Sequence, residues 1–318
     1  EIDVSLVGSE MCIRDRVLCL LFIFLFIPVF LYFSLDRENV DINEFRINSG
    51  YQELKLNEGV TSYKDLGDKN NEVIVVVHGA TFGSLAYEEY VNVFLENNYR
   101  VITYDQYGRG FSDRVDTDIS IELMEKQLKE LIEHCEAENV ILYGVSFGAA
   151  VAAKYASNNP ENVSFIGYQV PLINSANVPL LSIVKIPLYG DLLSRVLLVP
   201  NVLKRIEEYE DLMSEKLLDH YVGQFEVKGT ERFFKKFFLG NAMGNRLNDH
   251  NIIGSYSIPS YFAYAEDDLE IDSKLVEEAI KSYNNPIVKK YSGGHFFSSG
   301  IEKQVAQDFV DSIKQWHE

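Results

Sequence analysis

Gly144-Val145-Ser146-Phe147-Gly148 is the stretch whose reading decides the fold. An apolar run, Asn139 to Tyr143, precedes it, and a run of small residues, Ala149 to Ala153, follows. That context predicts strand, sharp turn, helix. A serine on such a turn is pushed out of the sheet edge, and flanking glycines let the two backbones pass closely. The helix start beside it offers free backbone N–H groups and partial positive charge for a developing oxyanion.

The surroundings of the pentad alternate. Val73 to Val77 is a continuous β-branched run, the pattern of a strand buried on both faces. Arg100 to Tyr104, Val163 to Tyr168, Ser260 to Ala265 and Ile287 to Tyr291 repeat it. Between them lie helical periodicities at Ile121 to Cys135, Asp272 to Tyr283 and Ile301 to Trp316; the first sets Leu128, Leu131, Ile132 and Cys135 on one face. This order predicts an α/β fold with a mostly parallel central sheet flanked by helices. Gln52 to Leu56 and Ser62 to Leu66 read as an antiparallel start to the sheet. Residues 39–170 and 258–318 form the two parts of this core. Residues 171–257 break the rhythm and read as a helical cap, apolar at first (Val178 to Val184, Leu192 to Val199), with Phe233, Phe234, Phe237 and Phe238 near its end; a structureless loop of that length is improbable.

An exposed serine needs a base, and the base needs an orienting acid. On this sheet both should follow the serine in the order acid, histidine, each just past a strand end. Ser260 to Ala265 is followed by Glu266-Asp267-Asp268, and Ile287 to Tyr291 by Ser292-Gly293-Gly294-His295. Ser146 is therefore expected as nucleophile, His295 as base and Asp268 as the orienting acid, ahead of Asp267 and then Glu266. The backbone N–H groups of Phe147 and Ala80 are the expected oxyanion-hole donors. His78 is read as structural, holding the Ala80 loop by hydrogen bonds. No metal spacing or cofactor loop is present, so neither a metal nor an organic cofactor is expected.

VVVHGA, YDQYGRGFSD, YGVSFGA, AYAEDD and SGGHFF, in this order over Asn39 to Glu318, resemble the α/β-hydrolase superfamily. The resemblance implies the same triad and oxyanion assignments. Serine at the elbow separates the chain from the dehalogenases and epoxide hydrolases that carry aspartate there. Ala265 stands where the family usually has glycine. The His78-Gly79-Ala80 loop and the helical cap look like those of monoacylglycerol lipases and related esterases; the His-Gly-Gly-Pro-Gly loop of proline iminopeptidases is absent. Implied is a serine hydrolase of carboxylic esters, with monoacylglycerols or lysolipids as small-molecule substrates. Acyl transfer, or cleavage of amide or carbon–carbon bonds, by the same triad is the alternative, and a non-catalytic sensor on this scaffold the remaining one.

The chain has 318 residues with 47% hydrophobic and 24% charged, the size of one large domain with an insertion. A net charge of −19 argues against nucleic acid as partner. Cys12, Cys19 and Cys135 form no disulfide framework. Within residues 1–16, Ser5 to Arg16 resembles a translated transposon adapter from sequencing-library preparation, whose ATGTGTATAAGAGACAG end encodes Met-Cys-Ile-Arg-Asp, and is set aside as non-native; a real, short polar N-terminus is the other reading. Residues 17–35 carry no charge and extend about 28 Å as a helix, the reach of a transmembrane anchor. No small-residue cleavage site follows, so an uncleaved single-pass anchor is favoured over a signal peptide. With no Lys/Arg excess beyond it, the catalytic domain is expected outside the cytoplasm; secretion after cleavage is the alternative.

Overall fold

The computed structural model describes residues 4–175, 189–207 and 209–317. Eight strands form one sheet in the order β1-β2-β4-β3-β5-β6-β7-β8. The strands are β1 Gln52–Lys55, β2 Val60–Leu66, β3 Val73–Val77, β4 Arg100–Tyr104, β5 Val140–Val145, β6 Val163–Gln169, β7 Ser260–Ala265 and β8 Ile287–Tyr291. Pairing is antiparallel from β1 to β2 and from β2 to β4, and parallel from β4 through to β8. All five residues of β3 and all six of β5 are buried, as continuous apolar runs require when helices cover both faces.

The two-residue period of the strands assigns the helices to their sides. Tyr143, Phe165 and Tyr261 turn to one face, where their rings meet Phe309. Phe309 lies on the last helix, Glu302–His317, and touches Phe94 of helix Glu88–Glu96. Tyr168 and Phe262 turn the other way and meet His250 and Tyr283. That second face is covered by Ile121–His134, Phe147–Asn158, Leu247–Ser255 and Ser273–Ile280. Ser120 caps Ile121–His134 by accepting from the Leu123 N–H, and Leu128, Leu131 and Ile132 are fully buried beneath it.

In chain order the helices are α1 Val4–Ser34, α2 Ile42–Arg46, α3 Glu88–Glu96, α4 Ile121–His134, α5 Phe147–Asn158, α6 Tyr189–Leu193, α7 Val199–Glu207, α8 Glu215–Gly223, α9 Thr230–Leu239, α10 Leu247–Ser255, α11 Ser273–Ile280 and α12 Glu302–His317, with a π-helical turn Ser194–Leu198 between α6 and α7. The expected strand Asn139 to Tyr143 starts one residue later and runs on to Val145, because Tyr143, Gly144 and Val145 still pair with β6. α2 had no periodicity to announce it. The apolar stretch Val178 to Val184 lies outside the described residues. Elsewhere the insertion is largely helical, and α7 to α9 gather around a second apolar cluster of Val199, Ile206, Tyr221, Phe225 and Phe234. α10 instead packs on α5, where Asp249 accepts from Ser157 Oγ at 3.0 Å and pairs with Lys154.

α1 is long and apolar enough to cross a membrane. Pro28 lies inside α1, which continues on both sides of it. Pro28 lacks the N–H that would serve the Phe24 carbonyl one turn earlier, and the Tyr189 hydroxyl donates to that oxygen at 2.6 Å instead. At the end of α1, Arg195 donates to the Tyr32 carbonyl and pairs with Asp36 at 3.2 Å. The Glu38 carboxylate then accepts from the N–H groups of Gly229 and Glu231 at the start of α9, a favourable place for an anion.

Candidate active site

Four loops at the C-terminal ends of parallel strands converge, where crevices form in sheets of this kind. β5 runs into Ser146, which sits at φ 52°, ψ −117° between strand and α5. A non-glycine residue there stores on the order of 1–3 kcal/mol. Its neighbours hold the turn: Ser146 N–H donates to the Gln169 carbonyl at 2.9 Å, and Leu172 N–H donates to the Ser146 carbonyl at 3.1 Å. Gly148 allows α5 to lie directly against β3, since a Cβ there would overlap the Val77 carbonyl oxygen.

The loop after β8 brings His295 to this serine, with Nε2 3.1 Å from Ser146 Oγ. Its Nδ1 is 2.8 Å from Asp268 Oδ2 on the loop after β7. A carboxylate at Nδ1 assigns the proton to that nitrogen and leaves Nε2 as acceptor for the serine hydroxyl. Asp268 uses its other oxygen to accept from the Glu270 and Ile271 N–H groups at 2.8 and 3.2 Å, so one carboxylate shapes its own loop and orients the imidazole. Its side chain is fully buried. The two rival acids point elsewhere. Asp267 is exposed and accepts from Gly293 and Gly294, whose N–H groups hold its carboxyl below the usual range. Glu266 is exposed and pairs with Lys290 at 2.5 Å.

Phe147 and Ala80 both line the cavity above Ser146. Phe147 is the first residue of α5, so its N–H has no partner within the helix. The Ala80 amide is oriented through its own peptide. Gln106 N–H donates to His78 Nε2 at 2.8 Å, which leaves Nδ1 to donate to the Gly79 carbonyl at 2.7 Å. In a trans peptide C=O and N–H point opposite ways, so this bond turns the Ala80 N–H away from His78. Burial pulls the His78 pKa down to about 4 and keeps the ring neutral, the state this bonding needs. His78 is thus a loop holder, as the sequence reading had it.

Three residues at the site were given no role by the sequence, although Arg109 lies within the quoted YDQYGRGFSD motif. Arg109 is completely buried; its Nε donates to the Ala80 carbonyl at 2.7 Å and its guanidinium lies 4.2 Å from the Phe237 ring centre. It ties the oxyanion-side loop to the cap, and burial brings its pKa down to about 9. Glu270 and Arg205 form an ion pair across the gap between the acid loop and α7. Glu270 also holds a carboxylate oxygen 3.6 Å from His295 Nε2. A turn-rich segment (105–112) and an insertion of uncertain path gave no means of placing these groups.

The cavity has a volume of about 500 Å³ and is walled mainly by apolar side chains, among them Phe82, Met213, Leu217, Tyr221 and Phe238. Leu217 and Tyr221 come from α8 and Phe238 from α9, so residues of the insertion form part of the cavity wall. The described residues contain no cluster of histidine, cysteine and carboxylate groups suited to a metal ion. The arrangement is chemically competent for proton transfer from Ser146 to His295 and for charge stabilisation at two backbone amides.

The family model described as serine aminopeptidase, S33, matches residues 68–211. Among curated proteins, a 2-hydroxy-6-oxononadienedioate/2-hydroxy-6-oxononatrienedioate hydrolase of Paraburkholderia xenovorans is 33% identical over 122 residues, 37% of this chain and 40% of that protein. A putative non-heme chloroperoxidase of Synechocystis sp. is 32% identical over 93 residues, 29% of this chain and 33% of that protein. The chain thus spans well under half the length of the curated relatives it matches. Among solved structures, an esterase from Exiguobacterium antarcticum superposes with a TM-score of 0.67 at 16% identity, covering 83% of this chain and 99% of that one. An α/β-hydrolase enzyme from a Medee basin deep-sea metagenome library does so at 0.67 and 17% identity, covering 83% and 97%. With the sheet order, the serine elbow and the solved structures in agreement, the chain has the α/β-hydrolase fold, and residues 68–211 match a family model of that fold.

Proposed function

We propose that this chain is a serine hydrolase of carboxylic esters. The observation that carries the reading is the unbroken relay of Asp268, His295 and Ser146, at 2.8 and 3.1 Å, opening into an apolar cavity. Ser146 Oγ attacks the ester carbonyl while its proton passes to His295 Nε2. The carbonyl oxygen takes the negative charge between the N–H groups of Phe147 and Ala80. Collapse of the tetrahedral intermediate expels the alcohol, which takes the proton from His295 and leaves an acyl group on Ser146. Water, deprotonated by His295, then adds to that acyl group and releases the acid.

The apolar walls and the membrane-length α1 favour a lipid-like ester such as a monoacylglycerol or lysolipid. In this reading α1 is an uncleaved anchor and the catalytic domain lies outside the cytoplasm. Amide hydrolysis is the second reading, supported by the description of the matching family model. An aminopeptidase needs an acid for the substrate's free amine. Among the described residues both cavity-lining glutamates are engaged, Glu270 with Arg205 and Glu302 with the Gly300 N–H, which favours the ester.

A fluorophosphonate probe tests the chemistry. Wild type is expected to label on Ser146 and Ser146→Ala to remain unlabelled; a folded wild type that does not react would refute the serine mechanism. Glycerol and p-nitrophenyl esters of graded chain length, beside aminoacyl p-nitroanilides, then separate the two substrate classes.

A further inference from the structure

Segment Tyr189–Leu198, which is α6 with the π-helical turn, buries Ser194 and Arg195 while its apolar side chains turn outward beside Asp191, whose half-exposed carboxylate is paired. Asp191 pairs with Lys235 at 2.5 Å, Ser194 Oγ donates to the Gly190 carbonyl at 2.9 Å, and Arg195 pairs with Glu231 at 2.7 Å. Ser194 and Arg195 are buried, whereas Val196 and Leu197 are 41% and 44% exposed, with Leu192 and Leu193 partly exposed beside them. Against water that is the wrong way round.

The same segment runs alongside the second half of α1. Tyr189 meets Phe24 and Arg195 meets Tyr32, each donating to a backbone carbonyl of α1, and Arg195 also lies 4.0 Å from the Tyr32 ring centre. Phe24 stands roughly 15 Å along the axis from the end of α1 at about 1.5 Å per residue. That is half of a hydrocarbon layer about 30 Å thick. A helix paired with this stretch shares its surroundings. Pro28, opposite this contact, is buried, while the residues around it on α1 are exposed.

We propose that Tyr189–Leu198 is a second membrane element, inserted in the leaflet at which α1 exits, with Val196 and Leu197 facing acyl chains. The proposal rests on the reading of α1 as a membrane span. The occupant of this apolar face is lipid, because the face is continuous with the bare apolar surface of α1 and every charged group of the segment is paired. α7 continues directly from the segment and brings Arg205 to the cavity, so the substrate class that follows is an ester-bearing lipid taken from that leaflet.

The single tryptophan makes the test direct. Trp316 lies against Phe165 at the start of β6, at the opposite end of the sheet from the cavity. The full chain, in phosphatidylcholine vesicles with and without brominated acyl chains, is compared with Leu197→Trp and Val196→Trp, each in a Trp316→Phe background. Both introduced tryptophans should lose most of their emission in brominated vesicles, and wild type should keep its own. Unquenched emission from protein that stays with the vesicles through an alkaline carbonate wash overturns the inserted segment and leaves the anchor standing. Release by carbonate overturns the anchor and the segment together, while probe labelling of Ser146 is unaffected by either result.

Discussion

Gly148 of α5 lies so close to Val77 of β3 that no side chain fits between them. A Cβ on Gly148 would overlap the carbonyl oxygens of Val77 and His78, backbone atoms that cannot swing aside. Gly148→Ala is therefore expected to force α5 off the sheet, with a loss of about 3 kcal/mol or more, in the range of severe core overpacking. Thermal unfolding beside probe labelling checks this. An alanine variant with wild-type Tm and reactivity would mean that the helix seats differently.

Asp268 and Asp267 are neighbours with different duties. Asp268→Asn keeps the shape but presents the wrong hydrogen-bonding partner to His295 Nδ1, and kcat/KM should fall by roughly three to four orders of magnitude, as in other serine triads. Asp267→Asn touches only the exposed turn at Gly293 and Gly294, and its cost should stay within about tenfold in kcat/KM. Equal losses for the two variants would refute the assignment.

Arg109 acts through the Ala80 loop as a positioning residue. Arg109→Met retains much of the packing among Phe233, Phe234 and Phe237 but removes the donor to the Ala80 carbonyl. The expected result is a fall in kcat of about tenfold to a hundredfold, short of losing a whole oxyanion donor. KM should change little. A variant that instead raises KM with kcat intact would place Arg109 in substrate binding.

Acid should loosen the fold through two buried imidazoles. His250 Nδ1 is 2.6 Å from the Tyr283 hydroxyl, and burial pulls its pKa to about 3, while burial brings His78 to about 4. An unfolded histidine titrates near 6.5, so between that pH and these lower values the unfolded chain binds more protons. Stability from each neutral ring is complete above pH 6.5 or so and declines as pH falls, by up to about 1.4 kcal/mol per unit for each. Urea midpoints at pH 7, 6 and 5 measure it, and His250→Gln should flatten the slope.

The Tyr189 hydroxyl fills the bond that Pro28 leaves open on Phe24. Tyr189→Phe should cost about 0.5–1.5 kcal/mol, the net worth of one hydrogen bond. Pro28→Ala supplies an N–H from within α1, and in that background Tyr189→Phe should cost little. Detergent-solubilised protein followed by thermal unfolding closes this double-mutant cycle; additive losses would refute the pairing.

Local pattern made the sheet legible, because β-branched runs such as Val73–Val77 declare buried parallel strands whatever else the chain does. The order of Ser146, Asp268 and His295 was legible for a related reason: each sits just past a strand, so strand positions place the side chains. Arg109, Arg205 and Glu270 were not. Their roles depend on where α7 and α9 lie over the sheet, and helix periodicity gives a helix's apolar face without its docking site. Proline weakens a helix by removing one donor, and at Pro28 the replacement donor, Tyr189, comes from 161 residues further along the chain.

β6 and β7 are hydrogen-bonded neighbours, yet the chain between them carries the whole insertion from Val170 to Pro259. This part of the cavity wall thus leaves and rejoins the protein at one seam between adjacent strands. Closing such a detour costs free energy that grows only with the logarithm of its length, about 0.6 kcal/mol per doubling. Ser146 stands before that seam and Asp268 and His295 after it, so the length of the detour leaves the strand ends that carry them in place. On the proposed reading, substrate preference changes with this cassette while the reaction stays put.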